Sequence, residues 1–236
     1  VDVITGARAE KAEQTDSDVK VTYSVGGKES QITADYCMVT VGRRPNTDQL
    51  GLEYTKVELD DHGLVKTDEQ GRTASPHIFA IGDITAGPAL AHKAFFQAKV
   101  AAGAISGKHT ANDYLGVPAV CFSDPELAVV GMTQADAKDK GLEVATAKFP
   151  FAGNALAVSL DQADGFVRLI FTKDDKTVLG GEVVGPAASD LIAELSLAVN
   201  GRMNVEDIAL TIHPHPTLSE PIQEAADIAL GFPTDL

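Results

Sequence analysis

The chain has 236 residues, 44% of them hydrophobic and 22% charged, with a formal net charge of −15. That length holds one large domain or two ordinary ones with an ample core, and the acidic balance excludes nucleic acid as a partner, because phosphate recognition needs basic patches. No apolar run approaches a membrane span and no stretch of these residues reads as a signal peptide, so a soluble globular protein is expected.

The first residues, Val1-Asp2-Val3-Ile4, carry no methionine and read as strand, so the sequence is expected to be the back end of something longer. Val19–Val25 alternates, Gly26-Gly27 supplies a turn and Gln31-Ile32-Thr33 resumes the alternation, which predicts a hairpin. Tyr36–Val41 is a short continuous apolar run, the pattern of a fully buried strand. It ends in Gly42-Arg43-Arg44-Pro45, where glycine permits close approach of a ligand and the arginines can meet phosphate. An ordinary strand exit with solvated arginines fits equally well. Cys37 and Cys121 sit far apart in apolar runs, which predicts two buried thiols in a reducing, cytoplasmic compartment; neither forms a CxxC pair.

Gly63–Thr67 reads as a short strand, and His77-Ile78-Phe79-Ala80-Ile81-Gly82-Asp83 as an apolar strand ending in Gly-Asp. A carboxylate at the end of a parallel strand sits where α/β sheets bind ligands, though a turn-forming aspartate accounts for it too. Pro88-Ala89-Leu90-Ala91-His92 opens a helix with Leu90, Ala94, Ala98, Ala101, Ala102 and Ile105 spaced for one face and Gly107 as its stop. A helix start there offers N–H groups to a ligand's electron-rich edge.

From Tyr114 five strands are expected, at 117–122, 127–131, 142–149, 166–171 and 178–184. Four helices accompany them: one behind Thr133-x-x-Asp136, one capped by Ser189-Asp190, one behind Asn204-x-x-Asp207 and one from Glu220. An antiparallel sheet with its helices on one side is an α+β domain. Near the end stands His213-Pro214-His215-Pro216-Thr217-Leu218-Ser219-Glu220. The prolines stiffen the segment, and a histidine held there with a carboxylate is a general-base arrangement. The same residues also read as a helix start: Thr217-x-x-Glu220 as capping box, Ser219 as N-cap, Pro221 in the first turn.

HPHPTLSE resembles the signature near the C-terminus of dihydrolipoyl dehydrogenases, within the flavin-dependent pyridine nucleotide-disulfide oxidoreductases; glutathione reductases share only parts of it. AIGD followed by GPALAHKA is similar to that family's second FAD segment. Phe122–Glu126 and Lys148–Phe151 are similar to its interface domain, with Ser123 where a threonine is usual. The resemblance covers the chain in order and implies a fold of α/β and α+β parts. Partial Rossmann-like FAD/NAD-binding segments come first, then an α+β dimerisation domain with an antiparallel sheet. Residues 1–48 would close the NAD-binding domain, 49–113 form the second FAD-binding segment and 114–236 the interface domain.

By the same resemblance Asp83 would hold the ribityl chain of FAD, and Ala89, Leu90, Ala91 and His92 would line the flavin through their backbone. Gly42 and Ile4 would touch NAD. His215 would take a proton from a dihydrolipoyl thiol with Glu220 orienting the ring, across the interface of a homodimer that serves the dihydrolipoyl acyltransferase component of a 2-oxo acid dehydrogenase complex. The departures are large. No GxGxxG occurs, and Cys37 and Cys121 match neither member of the family's redox pair. The chain is therefore expected to be catalytically incomplete alone; a non-catalytic dimerisation module, or a piece of a related reductase such as glutathione reductase, are the alternatives.

Overall fold

The computed structural model describes residues 1–232 and divides into two compact units, Val1–Arg44 and Pro45–Leu236. The first is a three-stranded antiparallel meander of β1 (Ala7–Gln14), β2 (Val19–Val25) and β3 (Lys28–Ala34). The expected hairpin is there: Gly26 and Gly27 turn with positive φ, and Val25 pairs with Lys28. Two expectations fail in this unit. Val1–Ile4 is not strand, and Tyr36–Val41 is an exposed segment without strand pairing, so Cys37 is exposed as well. A strand of continuous apolar residues needs neighbours on both sides and cover on both faces, and residues 1–44 supply neither.

In the second unit, residues 45–90 are held by turns rather than strands. The two strands expected there shrink to isolated bridges, Leu59 with Val65 and Arg72 with Phe79, and Gly82–Ile84 is a single turn of 3-10 helix. Helix α1 (Ala91–Ile105) forms where expected, but its buried face is shifted: Lys93, Gln97, Val100, Ala101 and Ala104 are buried, of which only Ala101 was expected, while Leu90, Ala94 and Ala98 are half-buried and Ala102 and Ile105 exposed. Apolar spacing missed the centre of the stripe because two of its buried positions, Lys93 and Gln97, are polar side chains that bond backbone.

The remainder is a five-stranded antiparallel sheet in the order β4-β5-β8-β7-β6. Its strands are β4 (Ala119–Cys121), β5 (Glu126–Gly131), β6 (Val144–Pro150), β7 (Phe166–Thr172) and β8 (Val178–Gly185), matching all five expected runs. Cys121, at the end of the β4 edge strand, is exposed rather than buried. Five helices belong to this part: α2 (Gln134–Asp139), α3 (Ala155–Ser159), α4 (Ala188–Asn200), α5 (Val205–Ala209) and α6 (Glu220–Leu230).

Helix α4 lies on β5 and β8, and α6 lies on β6 and β7. Leu195 of α4 comes so close to β8 that a Cβ at Gly181 would stand 2.6 Å from its Cδ1. Phe149, Phe151, Val167, Leu169, Val183, Leu195 and Ile222 are buried between sheet and helices. Two of the expected capping boxes form in full, at Thr133–Asp136 and Asn204–Asp207. The cap expected from Ser189-Asp190 does not. Ala187, with φ of 54°, precedes α4, and the Glu126 carboxylate at the start of β5 accepts from the Ser189 N–H instead. That bond holds the Glu126 carboxyl below its ordinary value.

Candidate active site

The His213–Glu220 strap crosses from the end of α5 to the start of α6. Its C-terminal half is fixed by Glu220, whose two oxygens serve different partners. Oε1 lies 2.7 Å from His215 Nδ1, and Oε2 accepts from the Thr217 N–H at 2.7 Å. The expected capping box is thus half made. The Thr217 hydroxyl donates to the Pro214 carbonyl at 2.8 Å rather than receiving a helix N–H, and Ser219 makes no side-chain cap.

A carboxylate only accepts, so the hydrogen of this bond is on His215 Nδ1, and in the neutral ring the lone pair is on Nε2. The imidazole is 73% exposed, whereas the Glu220 side chain is 23% exposed. The pair therefore consists of an accessible basic nitrogen and an orienting group set back behind it. Burial pushes the Glu220 carboxyl up, but the Thr217 N–H and the His215 ring together outweigh it and leave the group below the ordinary 4.5. Glu220 stays ionised over the whole neutral range. A groove of about 400 Å³ opens beside the pair, lined by Phe149, Asn154, His215, Glu220 and Glu224.

Asn154 is a residue of this pair's surroundings that sequence reasoning missed. It is buried, its Oδ1 accepts from the Ala157 N–H to cap α3, and its Nδ2 donates to the Thr217 carbonyl at 2.9 Å. The signal available in the sequence was an N-cap residue before Ala155–Ser159, a helix that the apolar spacing did not reveal.

Ala89, Leu90, Ala91 and His92 stand together at the start of α1. Leu90, the N-cap residue, makes no side-chain cap and no acidic residue occupies the first turn, so the positive end of the helix dipole is not offset from within the helix. The His92 ring turns away to the Pro118 carbonyl at 2.6 Å, which leaves backbone as what this turn offers a ligand. Asp83 is exposed in the turn before it.

In the first turn of α1 stands Lys93, 1% exposed, whose Nζ donates to the Thr85 and Ala86 carbonyls at 3.3 and 3.0 Å. Burial lowers the Lys93 ammonium, and the Asp83 carboxylate opposes that. Gln97 completes the support: its Oε1 accepts from Gly82 N–H at 2.7 Å and from the Thr85 hydroxyl at 3.3 Å. Neither residue was marked by the sequence, where both look like solvated helix positions. A cleft of about 490 Å³ adjoins this end of the helix, lined among others by His92, Phe96, Tyr114, Asn200 and Arg202. Ile4 and Gly42 lie in the first unit, both exposed and outside strands, Gly42 with a φ of 120°.

Two family profiles match this chain. "Pyridine nucleotide-disulphide oxidoreductase" matches residues 1–98, and "Pyridine nucleotide-disulphide oxidoreductase, dimerisation domain" matches residues 117–226. The chain belongs to the pyridine nucleotide-disulphide oxidoreductases. The dihydrolipoyl dehydrogenase of Staphylococcus aureus is 56% identical over 99% of this chain and 50% of its own length. That of Bacillus subtilis is 54% identical with the same coverage. Dihydrolipoyl dehydrogenase 2 of Haloarcula marismortui is 42% identical over 98% of this chain and 49% of its own length.

The chain therefore spans about half the length of the curated relatives it matches. Among solved structures, LpdA from Mycobacterium tuberculosis superposes with a TM-score of 0.86 at 32% identity, covering 94% of this chain and 48% of that one. The flavoprotein disulfide reductase RclA from Escherichia coli shares the fold at a TM-score of 0.82 and 21% identity, over 94% and 50% of the two chains. Family and fold class are thus as the motifs implied. Among the described residues no helix is long and apolar enough to cross a membrane.

Proposed function

We propose that this chain is the base-bearing half of a dihydrolipoyl dehydrogenase. The His215–Glu220 pair carries the reading: an exposed imidazole with its tautomer fixed by an ionised carboxylate 2.7 Å away. His215 Nε2 takes the proton from a dihydrolipoyl thiol. A free thiol titrates well above neutral and only the thiolate attacks a disulfide, so a positioned base raises the reactive fraction. Glu220 stabilises the imidazolium that results.

The start of α1, with the positive end of its dipole, fits the polar edge of a flavin. There the N–H groups of Ala91 and His92 would meet it, with Ala89 and Leu90 beside it and Asp83 accepting from a ribityl hydroxyl. Lys93 and Gln97 hold the Gly82–Ala86 turn so that Asp83 keeps its place. Gly42 and Ile4 are the residues proposed for NAD. FAD, when bound, would supply the electron transfer between thiol and nicotinamide; the residues of this chain position it and handle the thiol proton.

In this reading residues 1–48 belong to an NAD-binding domain, 49–113 to an FAD-binding domain and 114–236 to the dimer interface. The base is given to the partner's disulfide, the enzyme acts in the cytoplasm, and it serves the acyltransferase component of a 2-oxo acid dehydrogenase complex. The test is the visible spectrum of the full-length protein followed by a dihydrolipoamide-to-NAD assay. A yellow protein that reduces NAD supports the reading. A colourless protein without thiol-dependent NAD reduction contradicts it.

A further inference from the structure

A second histidine–carboxylate pair lies behind the first, and the chemistry proposed for His215 does not use it. The His213 side chain is 4% exposed. Its Nε2 is 2.9 Å from Glu194 Oε1 on α4, and its Nδ1 is 2.9 Å from the Thr211 carbonyl at the end of α5. Both partners are acceptors, so the arrangement is satisfied when both ring nitrogens carry hydrogen. The ring ties the N-terminal end of the strap to α4, two residues before His215. On the other side of His215, Asn154 and Glu220 hold Thr217. The base thus projects from a short segment anchored on both flanks, by α4 on one side and by α3 and α6 on the other.

We infer that the His213–Glu194 pair is a positioning device for the base: it fixes where the His215 ring stands without touching the reacting thiol. The inference rests on the reading of His215 as base. Its force comes from geometry, since a displacement of about 1 Å at a catalytic group costs on the order of a hundredfold in rate. Removing one anchor of two lets the strap shift while the sheet and helices beneath it stay packed.

The test uses the full-length protein and two activities: dihydrolipoamide oxidation by NAD, which needs the base, and NADH oxidation by ferricyanide, which does not. His213→Leu and Glu194→Leu are each expected to lower kcat for thiol oxidation roughly tenfold to a hundredfold, with NADH–ferricyanide turnover and dimer mass unchanged. The double variant should be no slower than the slower single one, because both remove the same tie. His213→Gln, whose amide can donate to Glu194, should recover part of the loss.

Full thiol oxidation in both single variants overturns the inference, as does an equal fall in both activities. Glu194 stands on a helix surface with its side chain 32% exposed, so its variant keeps the test open should His213→Leu fail to fold. His215→Ala separates the two layers. If that variant keeps thiol turnover, the base assignment fails and this inference with it. If it loses turnover while His213→Leu and Glu194→Leu keep it, only the positioning role falls.

Discussion

Glu220 divides its carboxylate between the backbone of the strap, through Thr217, and the ring of His215, and this sets its pH behaviour. Its carboxyl lies lower in the folded protein than the ordinary 4.5. A depressed carboxyl contributes stability that is fully present above the unfolded value and is lost as pH falls through the folded one. Wild type should therefore exceed Glu220→Gln in urea-unfolding stability at pH 6, and the gap should close as pH drops below 4.5. A gap that stays constant down to acid pH would mean the charge of Glu220 contributes nothing. At this scale the sequence was informative where chemistry is written in residue type: two imidazoles, two prolines and a glutamate within eight residues. It was silent on Lys93 and Gln97, because a buried polar side chain is marked by its partners, here carbonyls and N–H groups of a turn about ten residues away, and not by its own spacing.

The elements that hold the site are short, and their ends matter more than their lengths. Helix α3 has five residues and no strong propensity to form alone. Asn154 caps it and ties it to the strap. Asn154→Ala should lose about 1 kcal/mol from the cap and also reduce thiol turnover, because the Thr217 carbonyl loses its donor. A loss of stability with no change in turnover would confine Asn154 to the cap.

Phe151, fully buried next to α3, packs against Gly185, where a Cβ would lie 2.6 Å from its ring. Phe151→Ala should cost about 3–5 kcal/mol in urea unfolding, and a loss below 1 kcal/mol would show that the neighbouring elements close over the space. The five strands of the sheet were readable because each alternates or runs apolar between turn residues. The strands expected at 36–41, 63–67 and 77–83 were not realised. Their pattern called for parallel neighbours, and the antiparallel meander and turn-rich segments of this chain do not supply them.

At the scale of the molecule, the exposed apolar side chains Leu197, Leu210 and Ile212, 66%, 75% and 95% exposed, stand near the strap. Leu197 follows Glu194 by three positions on α4, hence on the same face, and Ile212 adjoins His213. Such a patch suits an isologous interface, consistent with the dimerisation-domain match over residues 117–226. Ile212→Glu together with Leu210→Glu should convert a dimer into a monomer in light scattering and abolish thiol turnover, since each base is proposed to act in the partner's site. A monomeric variant with full turnover would contradict donation across the interface.

The central claim is that His215 is the thiol base, and the full-length protein bearing His215→Ala tests it most directly. General-base catalysis is worth about 10²–10⁴-fold. Dihydrolipoamide oxidation should fall by that order while NADH–ferricyanide turnover, flavin content and dimer mass stay as in the wild type. Thiol oxidation within a factor of about three of wild type, far short of that range, would contradict the account and remove His215 from the chemistry.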